Sequence, residues 1–352
     1  MLTFGSLFAG VGGFDLGFES AGYDCRFQVE WDKHCQQVLA YRWPDVPRWA
    51  DVSEVSGAVL PPVDVITYGF PCQDLSVAGR RAGLDGERSH LFFEAVRIIT
   101  EMREATDGRY PIWAVAENVA GLLNADGGHA MGRVVDELAD AGAMVIEWTT
   151  LDAQHFGVPQ RRRRVFIASC FDPATADRCP DPLFPVGTGS SRDTATSEEP
   201  RQGTAADVGT GVAFSNGSIA IGFSHTQGID CQPSTDTFPT LRREGNGMAA
   251  AIPIQDGREM EKHQNELGVG DAGDPAYTLD TTGGQAVAQP DVAVRRLTPI
   301  ECERLMGWPD NHTLHRADGK TNADSSRYKM CGNGVVAPVA AWLAKHLAKT
   351  FA

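Results

Sequence analysis

No apolar run in the sequence approaches the ~20 residues that a membrane-spanning helix needs, so no membrane partner is expected. The first residues, Met1-Leu-Thr-Phe-Gly-Ser-Leu-Phe8, carry neither a basic stretch nor a cleavage pattern. They read as a first strand, and a cytoplasmic protein is expected. The 8 cysteines include no Cys-x-x-Cys pair, which removes zinc knuckles and dithiol redox motifs, and no metal is expected. Positive charge is also short: 31 Lys and Arg face 46 Asp and Glu, a net −15. Taken alone, that balance argues against a nucleic-acid partner, because phosphate contacts need Lys and Arg. Net charge says little about one face, however. Arg80-Arg81, Arg161 to Arg164, Arg242-Arg243 and Arg295-Arg296 are local clusters, and they predict a basic cleft on an acidic body.

What is present is enough apolar material for a large domain and a smaller one, 42% of 352 residues. The first unit runs strand (Leu2 to Phe8), glycine turn (Ala9-Gly-Val-Gly-Gly13), helix (Phe14 to Ala21). Such a turn lets a ligand approach backbone N–H groups at a helix start, although many glycine turns are only tight connections. The second strand, Cys25 to Val29, ends in Glu30-Trp31-Asp32. A carboxylate there suits a ribose diol, because it accepts both hydroxyl hydrogens. Trp31 can stack on an adenine or fill a core, and Asp32 reads as the cap of a helix from Lys33 to Arg42. Asp51 follows in a loop suited to reading an adenine amino group.

The chain is organised around Tyr68-Gly-Phe-Pro-Cys-Gln-Asp-Leu-Ser76. An apolar run from Val63 to Tyr68 reads as a buried parallel strand, and Pro71 stiffens the turn after it. Cys72 is thereby presented just past a strand end, where ligand sites sit in open α/β sheets. A lone cysteine is more often core; a stiff, exposed one can be a nucleophile. A mobile segment is expected from Ala78 to Ser89, then a helix from Leu91 to Arg103. A further buried strand, Ile112 to Ala116, ends in Glu117-Asn-Val119, and Glu117 reads as either a site carboxylate or a turn cap. Two more strands, Ala143 to Asp152 and Val165 to Ser169, flank Gln160-Arg-Arg-Arg-Arg164, which on composition alone is a solvated charged loop. Residues 185–211 read as linker, and 212–290 as a polar, Gly-rich region with short β pieces. Within it, Asp236 to Ala250 and Asp274 to Ala288 form a faint repeat. Thr298 and Glu301 form a capping box, and a helix from Pro338 to Phe351 closes the chain.

In their order, Phe8-Ala-Gly-Val-Gly-Gly13, Gly69-Phe-Pro-Cys-Gln73, Glu117-Asn-Val119, Gln160-x-Arg162-x-Arg164, Arg296-Leu-Thr with Glu301 and Met306-Gly-Trp-Pro-Asp310, and Gly332-Asn333 resemble the DNA cytosine-5 methyltransferases of restriction-modification type. The resemblance covers residues 1 to 170 and 295 to 352. It implies an α/β protein: a Rossmann-like, S-adenosylmethionine-dependent methyltransferase domain plus a small, mostly β target-recognition domain. The expected division is 1–178 catalytic, 179–211 linker, 212–324 target recognition and 325–352 returning to the catalytic domain. It implies base flipping in duplex DNA, with S-adenosylhomocysteine as product. Cys72 becomes the nucleophile towards cytosine C6, Glu117 the holder of a proton at N3, and Arg162 and Arg164 the ligands of the cytosine carbonyl and a phosphate. Phe8, Gly10, Gly12, Gly13, Glu30, Trp31, Asp51, Pro71, Leu91, Asn333 and Val335 match cofactor positions. Ser76, Arg80, Gln160, Thr240, Arg242, Arg243 and Thr278 are the DNA-contact candidates. A monomer and a separately acting restriction endonuclease are the family-level expectations.

Two features depart from the family pattern. Gly334 stands where Ser or Ala is common, which is expected to remove a side chain near the cofactor with little effect. Two Thr-Leu segments, Thr240-Leu241 and Thr278-Leu279, stand where one is expected, leaving open which reads bases. A transfer-RNA methyltransferase is the alternative; paired Gly-rich loops favour duplex DNA. A non-catalytic protein on the same fold predicts damage to Cys72, Glu117, Arg162 or Arg164, and all are intact. A dinucleotide oxidoreductase fails because Gly10-Val-Gly-Gly13 is not Gly-x-Gly-x-x-Gly.

Overall fold

A computed structural model describes residues 1–70, 90–178, 183–184, 212–213, 219–222, 252–254, 276, 278–279, 281, 286–289 and 292–351. The elements alternate as the apolar pattern predicts. Strands β1 (Thr3–Leu7), β2 (Asp24–Val29), β3 (Arg48–Trp49), β4 (Val65–Gly69) and β5 (Trp113–Val119) pair in parallel, in the order β3-β2-β1-β4-β5. Strand β7 (Arg163–Cys170) lies antiparallel between β5 and β6 (Val145–Asp152). Two short strands, β8 (Val212–Ala213) and β9 (Ile219–Gly222), extend the sheet beyond β6. A separate antiparallel sheet joins β10 (Ile252–Ile254), β11 (Ala286–Gln289) and β12 (Val292–Arg296).

Strands buried on both faces separate two apolar layers. On one face, Phe4, Val65, Trp113, Val115 and Phe166 pack with α1 (Gly13–Ser20), α2 (Lys33–Arg42) and α8 (Ala337–Ala348). On the other, Leu7, Ile66, Tyr68, Ala116 and Ile167 pack with α3 (His90–Ala105) and α4 (His129–Asp140). Each fully buried Phe or Leu contributes about 1.5–3 kcal/mol relative to exposure. Asp32 caps α2, its carboxylate accepting from the N–H groups of His34 and Cys35, and the Thr298–Glu301 capping box opens α6 (Pro299–Leu305) as expected. A short helix, α5 (Pro173–Arg178), ends the first run of described residues beyond β7.

Three stretches differ from the sequence reading. Leu183 and Phe184, inside the expected linker, are buried, and both their N–H groups donate to the Glu147 carboxylate at 3.1 and 3.2 Å. Within residues 297–323, which the expected division places in the recognition region, Leu297, Cys302, Leu305, Met306 and Trp308 share the core of the large sheet with Phe14, Phe18 and Val336. Arg42 at the end of α2 donates to the carbonyls of Asn311 and His312, at 2.7 and 3.2 Å. A helix absent from the sequence reading, α7 (Asp324–Asn333), then leads to α8. The expected mobile segment and most of the linker lie outside the described residues. No helix of the described residues is long and apolar enough to cross a membrane.

Candidate active site

The strand register assembles the first wall. Gly69, the last residue of β4, pairs with Glu117 on β5. Alternation along β5 turns Trp113, Val115 and Glu117 to the α8 face, and the antiparallel run of β7 turns Arg164 and Phe166 the same way. Arg164 Nε thus lies 3.2 Å from Glu117 Oε1. Burial raises the Glu117 pKa above the ordinary carboxylate value, while Arg164 and Arg162 pull it back. Beside it, Arg162 is 3% exposed, and its Nη2 donates to the carbonyls of Gly332 and Gly334 at 3.1 and 2.8 Å. Its Nε and Nη1 are buried with no hydrogen-bond partner. Burial, then Arg164, pushes the Arg162 guanidinium down to about 9. Together with Phe166, Val336 and Val339, Glu117, Arg162 and Arg164 line a hollow at this end of the sheet. Asn118, which sequence reasoning passed over, donates from Nδ2 to the Phe70 carbonyl at 3.3 Å. Its signal was its place inside the Glu117-Asn-Val119 motif. Cys72, Pro71, Ser76 and Arg80 lie outside the described residues.

The second wall is the glycine turn. Phe8, Gly10 and Gly12 all have left-handed backbone, φ 54°, 58° and 85°. Gly10 N–H donates to Glu30 Oε2 and Asp32 N–H to Glu30 Oε1, both at 2.7 Å. Desolvation nonetheless pushes the Glu30 carboxyl up to about 7. Trp31 is 73% exposed, so it is a surface ring and not a core aromatic. Asp51 Oδ1 accepts from the Ser53 N–H and hydroxyl, which makes Asp51 the cap of a short 3-10 turn. Leu91 is half-buried at the start of α3; Asn333 is exposed at the end of α7, and Val335 is buried. Gly12 and Gly13 are needed for close approach, since a Cβ on them would meet the Trp43 ring and the Val335 carbonyl respectively. A Cβ on Gly334 would meet the Trp308 ring, so the space a Ser or Ala side chain would take there is filled by the indole. The set fits an adenosine: each Glu30 oxygen keeps a lone pair for a hydroxyl beside its backbone donor, and an exposed indole stands next to it.

Of the DNA-contact candidates, Gln160 is fully buried, with both side-chain amide atoms unpartnered. Its burial follows from a strand-like pairing: Arg161 N–H donates to the Ala276 carbonyl, and Ala276 N–H to the Pro159 carbonyl, each at 2.7 Å. Thr278 Oγ1 donates to the Arg161 carbonyl at 2.6 Å, and Leu279 is buried in the main core. Thr240, Arg242 and Arg243 lie outside the described residues.

The pattern of C-5 cytosine-specific DNA methylases matches residues 2–349. Type II methyltransferase M.HpaII of Haemophilus parainfluenzae is 29% identical over 357 positions, covering 96% of this chain and 86% of that protein. Type II methyltransferase M.HhaI of Haemophilus parahaemolyticus is 27% identical over 352 positions, covering 98% and 94%. The solved S. pombe Dnmt2 methyltransferase is similar in fold, with a TM-score of 0.63 at 14% identity, covering 100% of this chain and 99% of that one. The match is to a DNA methylase family and does not favour the RNA alternative. A sheet with this order, a carboxylate–guanidinium pair at its end and an adenosine-fitting turn beside it accord with that match, and the chain belongs to the C-5 cytosine-specific DNA methylases, whose methyl donor is S-adenosylmethionine.

Proposed function

We propose that the chain methylates C5 of a cytosine flipped out of a specific duplex DNA sequence, through a covalent bond between Cys72 Sγ and cytosine C6. The supporting observation is the Glu117–Arg164 pair at the end of β5, level with Gly69, whose chain continues into Pro71-Cys72. A stacked cytosine hides its ring from a nucleophile, so the base must leave the duplex. The Cys72 thiolate adds to C6, and the electrons of the C5–C6 double bond make C5 an enamine carbon. Glu117, whose proton affinity burial raises against the pull of Arg164 and Arg162, holds a proton at N3 and offsets the charge that develops there. Arg162 and Arg164 bind the cytosine carbonyl and the neighbouring phosphate through planar guanidinium donors. The turn from Phe8 to Gly13, with Glu30 and Trp31, would hold S-adenosylmethionine, which would supply an electrophilic methyl group to C5 and leave as S-adenosylhomocysteine. Water removes the C5 proton; the C6–S bond breaks, the double bond re-forms and the Cys72 thiolate returns.

Sequence readout falls to the region between 212 and 296, with Thr240, Arg242 and Arg243 as proposed DNA contacts. The protein acts as a monomer, and a cognate restriction endonuclease acts separately. The test is trapping on duplex DNA containing 5-fluorocytosine with S-adenosylmethionine. Fluorine at C5 cannot leave as a proton does, so a covalent adduct is expected with the wild type and none with Cys72→Ala. An adduct that survives Cys72→Ala overturns the nucleophile. An adduct on RNA but not on DNA overturns the substrate.

A further inference from the structure

The glycine turn is gripped from two sides. Glu30 holds the Gly10 N–H on one; on the other, His312 Nε2 lies 2.6 Å from the Val11 carbonyl. A carbonyl only accepts, so Nε2 carries the proton and Nδ1 is bare; Nδ1 is buried with no partner. Burial pushes this imidazole down to about 4, which keeps it neutral with its proton on one nitrogen. His312 is fully buried, its ring 6.1 Å from Trp43 and 5.4 Å from Trp308. Trp43 is the same ring that closes over Gly12. The backbone around His312 is itself fixed. Glu303 accepts from the N–H groups of Asn311 and Thr313, at 2.7 and 2.9 Å, and from Arg327 at 3.0 Å, while Arg42 holds the carbonyls of Asn311 and His312. This rigid block follows α6, which begins three residues after the end of β12 in the small sheet.

We infer that His312 is a positioning residue for the cofactor turn: its Nε2–H fixes the Val11 carbonyl, and so sets the Gly10–Glu30 face that meets the adenosine end of S-adenosylmethionine. The inference rests on the cofactor reading above. It gives residues 299–323, which carry no expected cofactor contact, a part in holding the cofactor.

The test is calorimetric binding of S-adenosylhomocysteine to the full chain without DNA. In His312→Gln the amide nitrogen takes the place of Nε2. In His312→Asn it takes the place of Nδ1 and cannot reach Val11. The expected result is a Kd raised about tenfold in His312→Asn, the scale of one buried hydrogen bond with its acceptor left unpaired, and a Kd within about threefold of wild type in His312→Gln. Leu347→Ala, in α8 away from the turn, lowers the thermal midpoint and leaves Kd unchanged. Wild-type affinity in His312→Asn, equal loss in both His312 variants, or equal loss in Leu347→Ala overturns the positioning role. Failure of the wild type to bind overturns the cofactor reading, and this inference with it. Should His312→Asn not fold, His312→Leu replaces it with the same expected Kd.

Discussion

Glu30 and Glu117 are two carboxylates in matching places. Each stands at the C-terminal end of a parallel strand, and each is desolvated enough to hold its proton more tightly than a free side chain. Their partners differ. Glu30 is pinned by two backbone N–H groups, which neither titrate nor swing away. Glu117 faces the Arg164 guanidinium, a charged side chain and not a backbone donor. The same residue type is thereby anchored by backbone N–H groups on one wall and faces a guanidinium on the other, a difference that would suit the two proposed roles, ribose acceptor and proton holder.

The largest expected effect tests the second half of that contrast. Glu117→Gln keeps the shape but cannot offer an acidic proton at N3, so kcat should fall about 10²–10⁴-fold, the range for losing a general acid. S-adenosylhomocysteine affinity should stay at the wild-type value. Steady-state kinetics beside calorimetry checks both. Equal losses in kcat and cofactor affinity would mean that the walls are one unit and the comparison is broken.

The next effect concerns Glu30 and pH. Its folded pKa of about 7 lies above the usual 4.5. As pH rises past 4.5, the unfolded carboxyl ionises first while the folded one keeps its proton, so this group lowers stability between 4.5 and about 7. A ribose diol binds best to the ionised form. At pH 6 about one molecule in ten is ionised, so S-adenosylhomocysteine should bind about tenfold more weakly than at pH 8. Glu30→Gln should flatten the pH dependence. A profile unchanged by Glu30→Gln would assign it to another group.

The parts legible in the sequence were those written in contiguous residues. The ends of β2 before Glu30 and of β4 at Gly69, the Asp32 cap and the capping box at Thr298 all follow from local pattern, whereas β5 runs on through Glu117 to Val119, past the expected end at Ala116. What stayed hidden depends on residues far apart in the chain. Gln160 reads as a charged-loop residue until the chain at Ala276 covers it. Gly334 reads as a lost side chain until Trp308 fills the space. Helix α7 has weak apolar periodicity because its buried residues include Arg327, whose partner is Glu303 on another helix. The Val11–His312 contact spans 301 positions, and no spacing rule reaches that far.

The smallest expected effect refines the cofactor wall. Trp31 is 73% exposed, so removing its ring uncovers little core, and Trp31→Ala should move the thermal midpoint within the scatter of surface substitutions, about 0.5 kcal/mol. If the indole stacks on the adenine, its loss should cost about 0.5–1.5 kcal/mol of binding, about a 2- to 12-fold rise in Kd for S-adenosylhomocysteine. The pH dependence set by Glu30 should persist in this variant, because stacking does not depend on the carboxyl's charge. A lowered midpoint with unchanged Kd would make Trp31 a packing residue and leave the wall to Glu30 alone. A raised Kd with an unchanged midpoint and an intact pH profile would show that the wall holds its ligand by two separable means, a fixed acceptor and a free aromatic face.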